Sequence, residues 1–414
     1  YDTFFACGTG GTMEWAGGTY GLPSSITSYY NITITGTGTK TFPNYDITIC
    51  GDLRIDSSAT LKQPGVPSDY RYTTIKGNTY LLDSATWDMG NRTWVNLEGN
   101  FTRDDSTSFL TSYTNQTFKV NGTTDQAFIG VFNSNNQFNT LHFDNTGNIS
   151  FNDSSGIRNY LYMNNGHIQN PAGKPFMVAK SDGDGFYAYS NGLFEGSVSI
   201  NLNSSSPKQF LPVGKNGIKK FIYPLDLPLT VGFWIGEYFN SSPSAHIPPM
   251  RHDSLVSPLQ SVSQSEYWRI SGPNGVSSRI KLTLDGTSDI ASGISDINNL
   301  RIVYWNGTKW EIAGTGATIT GNASSGTIST TASFTFNGAE QFFTLGAIES
   351  VVVPTAQITS SDAELCEGST YQLVIALTGN SPWFIDYNDG TTSYHVDSIL
   401  SSPHTINITG MITG

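Results

Sequence analysis

The chain is 414 residues long with a net charge of −12, and only 13% of its residues are charged, about half the share of an ordinary soluble domain. Thr, Ile, Val, Tyr and Phe are plentiful while helix formers are scarce, which specifies an all-β protein of two or three domains. No Lys/Arg cluster is present to meet a phosphate backbone, so nucleic acid is excluded as a partner, and no apolar run approaches the roughly 18 residues that a membrane span requires.

Residues 1–30 read as an N-terminal cap. The start at Tyr1, without a signal peptide, fits a mature and processed chain. Gly8-Thr9-Gly10-Gly11-Thr12 lacks the Lys and the following helix that a phosphate loop needs, so it is a turn. Cys7 and Cys50 can pair within the N-terminal region, which leaves Cys366 as an odd cysteine; in a secreted chain that points to an intermolecular bond, a free thiol or a missing piece.

From residue 31 to 206 short β-rich runs recur every 20 to 23 residues, beginning with Asn31-Ile32-Thr33-Ile34 and Asp52-Leu53-Arg54-Ile55. Tyr72-Thr73-Thr74-Ile75, Trp94-Val95-Asn96-Leu97, Thr117-Phe118-Lys119-Val120 and Thr140-Leu141-His142-Phe143 continue the series. It closes with Tyr160-Leu161-Tyr162-Met163, Phe176-Met177-Val178 and Ser197-Val198-Ser199-Ile200. Nine runs at one period predict a right-handed parallel β-helix with one run per coil; a sandwich of evenly spaced hairpins is the rival. Gly, Asn or Asp follows most runs, as in Lys76-Gly77-Asn78 and Glu98-Gly99-Asn100, and the expected reason is a left-handed backbone at the corners.

Within this region three features bear on chemistry. Asp104-Asp105 is an adjacent acid pair, but its neighbours Thr102, Ser106 and Ser108 mark a turn rather than a hydrolytic dyad. In Ser181-Asp182-Gly183-Asp184-Gly185 the carboxylates of Asp182 and Asp184 can approach one calcium ion, although Asp-Gly is also an ordinary turn. Tyr160 with Tyr162, and Tyr187 with Tyr189, alternate along their strands, so each pair is expected to face one side. These tyrosines either stack on sugar rings or pack in a core.

The composition changes after Asn203-Ser204-Ser205-Ser206-Pro207. Residues 207–350 read as an antiparallel β-sandwich, with Asn306-Gly307 as a hairpin between Leu300-Arg301-Ile302-Val303-Tyr304-Trp305 and Lys309-Trp310-Glu311-Ile312. Val351-Val352-Val353-Pro354 is a linker. Residues 356–414 open an immunoglobulin-like unit too short for its seven strands, so the partner of Cys366 is expected beyond Gly414. The histidines His142, His167, His246, His252, His395 and His404 show no zinc spacing.

The chain resembles large surface proteins of the Bacteroidota that are exported by the type IX secretion system. The resemblance rests on Phe210-Leu211-Pro212-Val213-Gly214, on Tyr267-Trp268-Arg269-Ile270-Ser271-Gly272-Pro273, and on the strand pair ending in Glu311. It rests too on Leu365-Cys366-Glu367-Gly368-Ser369 and Leu377-Thr378-Gly379-Asn380-Ser381-Pro382-Trp383. It implies a β-helix followed by a sandwich and tandem immunoglobulin-like repeats, at the cell surface or released from it. It also implies O-glycosylation at Asp-Ser-aliphatic sites, which here are Ser84, Ser254 and Ser398.

The function expected is therefore a non-catalytic extracellular segment of a giant surface protein, serving adhesion, gliding or filament building. Surface glycans, other cells and the type IX secretion machinery are the expected partners, with end-to-end self-association of copies. Calcium is the one cofactor weighed. A β-helix polysaccharide-degrading enzyme and a carbohydrate-binding module without turnover are the alternatives.

Overall fold

A computed structural model describes the chain except for residues 1–6, 9, 66–68, 112–114, 349–354, 362–368, 380, 389–391 and 410–414. Half of the chain is strand and 3% is helix. Two compact units are present: 1–240 with 267–283 and 329–343, and 241–266 with 284–328 and 344–414.

The first unit begins with a β-solenoid of about eight turns of parallel strands. Each coil contributes short strands to three faces. The first face stacks Thr12–Trp15, Asn31–Ile34, Leu53–Ile55, Thr79–Leu81, Phe101–Arg103 and Gln126–Ile129, each pairing parallel with the next. The second stacks Ser28–Tyr29, Ile47–Ile49, Arg71–Ile75, Thr93–Leu97 and Thr117–Val120. The third stacks Tyr20–Gly21, Thr39–Thr41, Thr60–Lys62, Thr86–Asp88 and Ser108–Leu110. Further along, Thr140–Phe151 and Leu161–Gln169 run through a corner and serve the second face and then the first.

The nine runs therefore do not mark nine equivalent coil positions. Asn31–Ile34 and Leu53–Ile55 lie on the first face, the runs from Tyr72 to Met163 on the second, and Phe176–Val178 and Val198–Leu202 in a separate sheet that begins at Gly156–Ile157. Coil length is not constant: register partners on adjacent coils lie 19 residues apart at Thr12 and Asn31, 26 at Leu53 and Thr79, and 27 at Phe101 and Phe128. The runs stay evenly spaced because the series changes face, passing from Leu53 on the first to Thr73 on the second, 20 residues on, within a coil of 26.

Alternation sends every second side chain inward, as in Thr93–Leu97, where Thr93, Val95 and Leu97 are buried. Aliphatic residues fill the first coils, including Ile32, Ile34, Leu53 and Ile55. From Trp87 onward the interior becomes aromatic. Phe101, Phe109, Phe118, Phe128, Phe132 and Phe138 are fully buried, and neighbouring rings meet mostly edge to face, the arrangement that a ring quadrupole favours.

At the corner before the first face, side chains brace one coil to the next. Asn31 Oδ1 accepts the Asp52 N–H at 2.8 Å, Asp52 Oδ1 that of Asn78 at 2.7 Å, Asn78 Oδ1 that of Asn100 at 2.9 Å, and Asn100 Oδ1 that of Ala127 at 2.7 Å. Each side chain satisfies a backbone donor that the corner would leave unpaired. The glycines beside this ladder are not left-handed: Gly51, Gly77 and Gly99 have φ outside the positive region. Their requirement is close approach, since a Cβ on Gly77 would fall 2.5 Å from the Gly51 carbonyl carbon, and one on Gly99 would fall 2.2 Å from Gly77 O.

Cys7 and Cys50 form a disulfide across 43 residues of sequence, as the N-terminal pairing anticipated. On the third face, the buried Lys40 donates to the carbonyls of Gly17, Thr35 and Thr37 at 2.7, 2.6 and 2.9 Å.

The sheet does not stop where the composition changes at residue 206. Val198–Leu202 pairs parallel with Phe176–Val178 on one edge and antiparallel with Gly232–Phe239 on the other, and Gly232–Phe239 pairs with Tyr267–Ser271. Parallel windings thus pass directly into an antiparallel sheet within one unit, because a strand's two edges accept either direction independently.

In the second unit, Leu300–Trp305 and Trp310–Ile312 form the hairpin expected around Asn306-Gly307. Asn306 Oδ1 accepts the N–H groups of Thr308 and Lys309. Residues 356–409 build two small antiparallel sheets, one of Ala356–Ile358, Thr370–Leu377 and His404–Thr409, the other of Trp383–Asn388 and Ser393–Ile399. They close over Ile375, Leu377, Ile399 and Ile406. Cys366, the segment Leu365-Cys366-Glu367-Gly368 and the linker Val351-Val352-Val353-Pro354 lie outside the described residues.

Candidate functional site

The outward side of the second face carries a continuous strip of aromatic rings. In register, Thr74, Asn96, Lys119, His142 and Tyr162 occupy one outward column on successive coils. Trp94, two residues before Asn96, donates its Nε1–H to Asn96 Oδ1 at 3.0 Å, which folds the indole along the column. Its ring centroid then lies 6.0 Å from Tyr72, 6.5 Å from Tyr70 and 5.1 Å from His142. His142 stacks on Tyr162 at 3.9 Å, Tyr162 meets Tyr187 at 5.5 Å, and Tyr187 meets Tyr160 at 5.3 Å. Seven rings are joined in this way.

Tyr189 does not belong to the strip. The pairing of Leu161–Gln169 with Phe186–Tyr189 shifts register between Leu161 and Tyr162, so that Ala188 faces Tyr162 and Tyr189 faces the buried Met163. One extra residue reverses the phase of everything after it. Tyr187 remains outside, while Tyr189 packs against Phe210 and Phe221 and donates its hydroxyl to Gly192 O at 3.0 Å. Burial raises its pKa. The expectation that Tyr187 and Tyr189 share a side is corrected by this bulge.

Charges beside the strip are neutralised locally. Lys119 pairs with Asp144 at 2.7 Å. Lys180 lies 5.0 Å from the centre of the Tyr160 ring and is bonded to both Asp182 and Asp184. The Asp182 carboxyl is pushed down to about 2, first by its hydrogen bond with the Asp184 side chain and then, against its desolvation, by Lys180. The positive charge between the two candidate calcium ligands is thus an ammonium group of the chain itself. Among the described residues no group of three or more His, Cys, Asp or Glu side chains is arranged to hold a metal ion. His142, half-buried under its neighbours, is pushed down to about 4 by desolvation and then by Lys119, so it is a neutral ring at physiological pH.

The other predicted positions fall elsewhere. Ser84 and Ser398 are exposed, with φ of 60° and 53°, and Ser254 is half-buried with its hydroxyl 3.4 Å from Asp253 Oδ1. Asp104 turns a corner and accepts the Asp83 N–H at 3.2 Å. His395 lies on the exposed hairpin between Asp386 and Asp397, at 2.5 and 2.6 Å, and these carboxylates raise its pKa, Asp386 foremost.

Sequence reasoning found Tyr160, Tyr162 and Tyr187 but missed Tyr70, Tyr72, Trp94 and His142. The signal was present in the aligned runs, where Tyr72 and Trp94 each open a run and His142 and Tyr162 each hold the third place. Compared with known proteins, the chain matches no family model, no curated protein and no solved structure, so the strip's own geometry is what speaks for its use.

Proposed function

We propose that this chain is a non-catalytic extracellular stalk segment of a larger bacterial surface protein, acting by length, stiffness and display. The observation that carries the reading is the bracing between coils: a disulfide, the Asn31–Asp52–Asn78–Asn100 ladder and the buried aromatic column all tie neighbouring turns together. A solenoid resists force through such nearest-neighbour contacts. With about eight turns at roughly 4.8 Å each, the solenoid is on the order of 40 Å long.

The two small sheets of residues 356–409 fit an incomplete immunoglobulin-like domain, the module that the Bacteroidota resemblance places in tandem. The same resemblance supports type IX export, O-glycosylation at Ser84, Ser254 and Ser398, and a part in adhesion, gliding or filament building. Other cells and further copies, joined end to end, are its partners on this reading.

The decisive experiment incubates the purified chain with a panel of algal and plant polysaccharides and measures reducing ends and unsaturated sugars. A blank panel is expected. Sustained release of product from any glycan overturns the stalk reading in favour of a polysaccharide-degrading enzyme.

A further inference from the structure

We infer that the aromatic strip on the second solenoid face is a binding site for a neutral polysaccharide, whose chain lies along the solenoid axis. Tyr70, Tyr72 and Tyr187 are between 41% and 48% exposed, while Trp94, His142, Tyr160 and Tyr162 are half-buried between them. Single exposed aromatics are ordinary on a surface, but a contiguous row of them marks an interaction site. Here the two ends offer open ring faces, and the stacked middle holds them in line.

The occupant follows from the chemistry around the rings. A pyranose presents a C–H face that packs on an aromatic ring and a rim of hydroxyls that needs donors and acceptors. The strip supplies both kinds of contact: rings along it, with Asn96 and Lys119 in the same column and Asp144 bonded to Lys119. A flat apolar partner surface would strip water from Asn96 and from the Lys119–Asp144 ion pair, at a cost.

Charge selects a neutral chain. Lys119 is already paired with Asp144, and Lys180 with Asp182 and Asp184. Arg71 is bonded to Asn44 and to the Tyr70 carbonyl. An acidic glycan would meet a chain of net charge −12 with its nearest cations engaged. His142 stays uncharged, so the centre of the strip adds no cation.

Length selects a polymer over a monosaccharide. From Tyr72 to Tyr187 the strip crosses five coil-to-coil steps, through the strands bearing Trp94, Lys119, His142 and Tyr162. At ~4.8 Å per step that is about 24 Å, enough to underlie several sugar rings at once. Weak contacts at each ring then add up along one chain.

The inference adds a ligand to the stalk reading and rests on it only in that the glycan is held and not cleaved. The test is affinity electrophoresis of the intact chain through gels containing neutral polysaccharides (cellulose derivatives, mannan, mixed-linkage glucan) or acidic ones (alginate, polygalacturonate). Retardation by at least one neutral glycan and by neither acidic one is expected. Tyr72→Ala and Tyr187→Ala should each weaken binding about tenfold, as removal of a central aromatic contact does. Tyr80→Ala, on the first face, should leave it unchanged. Trp94→Phe, which keeps a ring, should retain binding but lose the ligand-induced change in tryptophan emission. No retardation in any neutral gel, preference for the acidic ones, or wild-type binding by Tyr72→Ala and Tyr187→Ala together overturns the inference. Concentration-dependent self-association abolished by Tyr72→Ala would reassign the strip to a second copy of the chain, and so overturns it too. Release of sugars in the same gels would instead defeat the stalk reading.

Discussion

Replacing Gly99 separates two reasons for a glycine at a solenoid corner. A Cβ there would stand 2.2 Å from Gly77 O, 2.4 Å from Gly77 C and 2.9 Å from Asn78 N. An ordinary carbon–oxygen contact needs about 1 Å more than the first of these, so the two coils must part at that corner. Moving them strains the packing of Val95, Leu97 and Phe101, all fully buried, and stretches the 2.9 Å bond from Asn100 N–H to Asn78 Oδ1. Overpacking costs about 1–3 kcal/mol, and a weakened hydrogen bond adds about 1 kcal/mol. Gly99→Ala should therefore lose about 2–4 kcal/mol, and Gly99→Asn at least as much. Gly21, with nothing within 4 Å of its hypothetical Cβ, is the control, and Gly21→Ala should stay within about 0.5 kcal/mol of the parent. Urea unfolding followed by circular dichroism reads the midpoints. Hydrogen exchange in the coils around Gly77 and Gly99 shows where the loss falls, since a solenoid opens locally. If Asn is tolerated at 99 while Ala is not, a left-handed backbone is the real constraint and the close-approach argument fails.

Further outcomes follow from other parts of the solenoid. The His142 ring, held near 4 against an ordinary value of 6.5, stabilises the fold above pH 6.5. That contribution is lost as pH falls from 6.5 through about 4, because the unfolded chain then binds the extra proton. The loss is on the order of 2 kcal/mol after allowance for partial exposure. His142→Phe should flatten the stability profile over that window, and an unchanged slope would refute the assignment. Lys40→Met removes the one donor that the carbonyls of Gly17, Thr35 and Thr37 share and should cost about 2–4 kcal/mol, visible as faster proteolysis of the first coils. The double change Cys7→Ser with Cys50→Ser opens a loop of 43 residues. It should lower stability by up to about 4 kcal/mol and abolish any effect of added reductant; an unaltered melting temperature would show that the bond is dispensable.

The strand content and the pairing of Cys7 with Cys50 were legible in the sequence, because the first follows from composition and the second from two cysteines lying in one region of the chain. That short runs recur was legible too, but not the coil length, which ranges from 19 to 27 residues between register partners. The Asn306-Gly307 hairpin was equally legible, since both strands and their turn lie within a few residues. Which face a run occupies was not, because the strands of all three faces are short and β-rich, and only their pairing shows which of them stack. Tyr189 shows the same limit on a finer scale. Its spacing from Tyr187 is correct for one side of a strand, and only the register shift opposite Leu161 and Tyr162 turns it inward.

What the sequence determined by itself is the kind of chain: pleated, sparsely charged and repetitive. The solenoid stacking decided the rest. Stacking places Tyr72, Trp94, His142, Tyr162 and Tyr187 in one line although the first and last are 115 residues apart. It also brings the Lys180 ammonium to Tyr160 across twenty residues. Such contacts are set by which coil lies on which, a long-range quantity fixed by pairing register and corner length together. Local propensity carries no record of it, and so the strip emerges only from the folded structure.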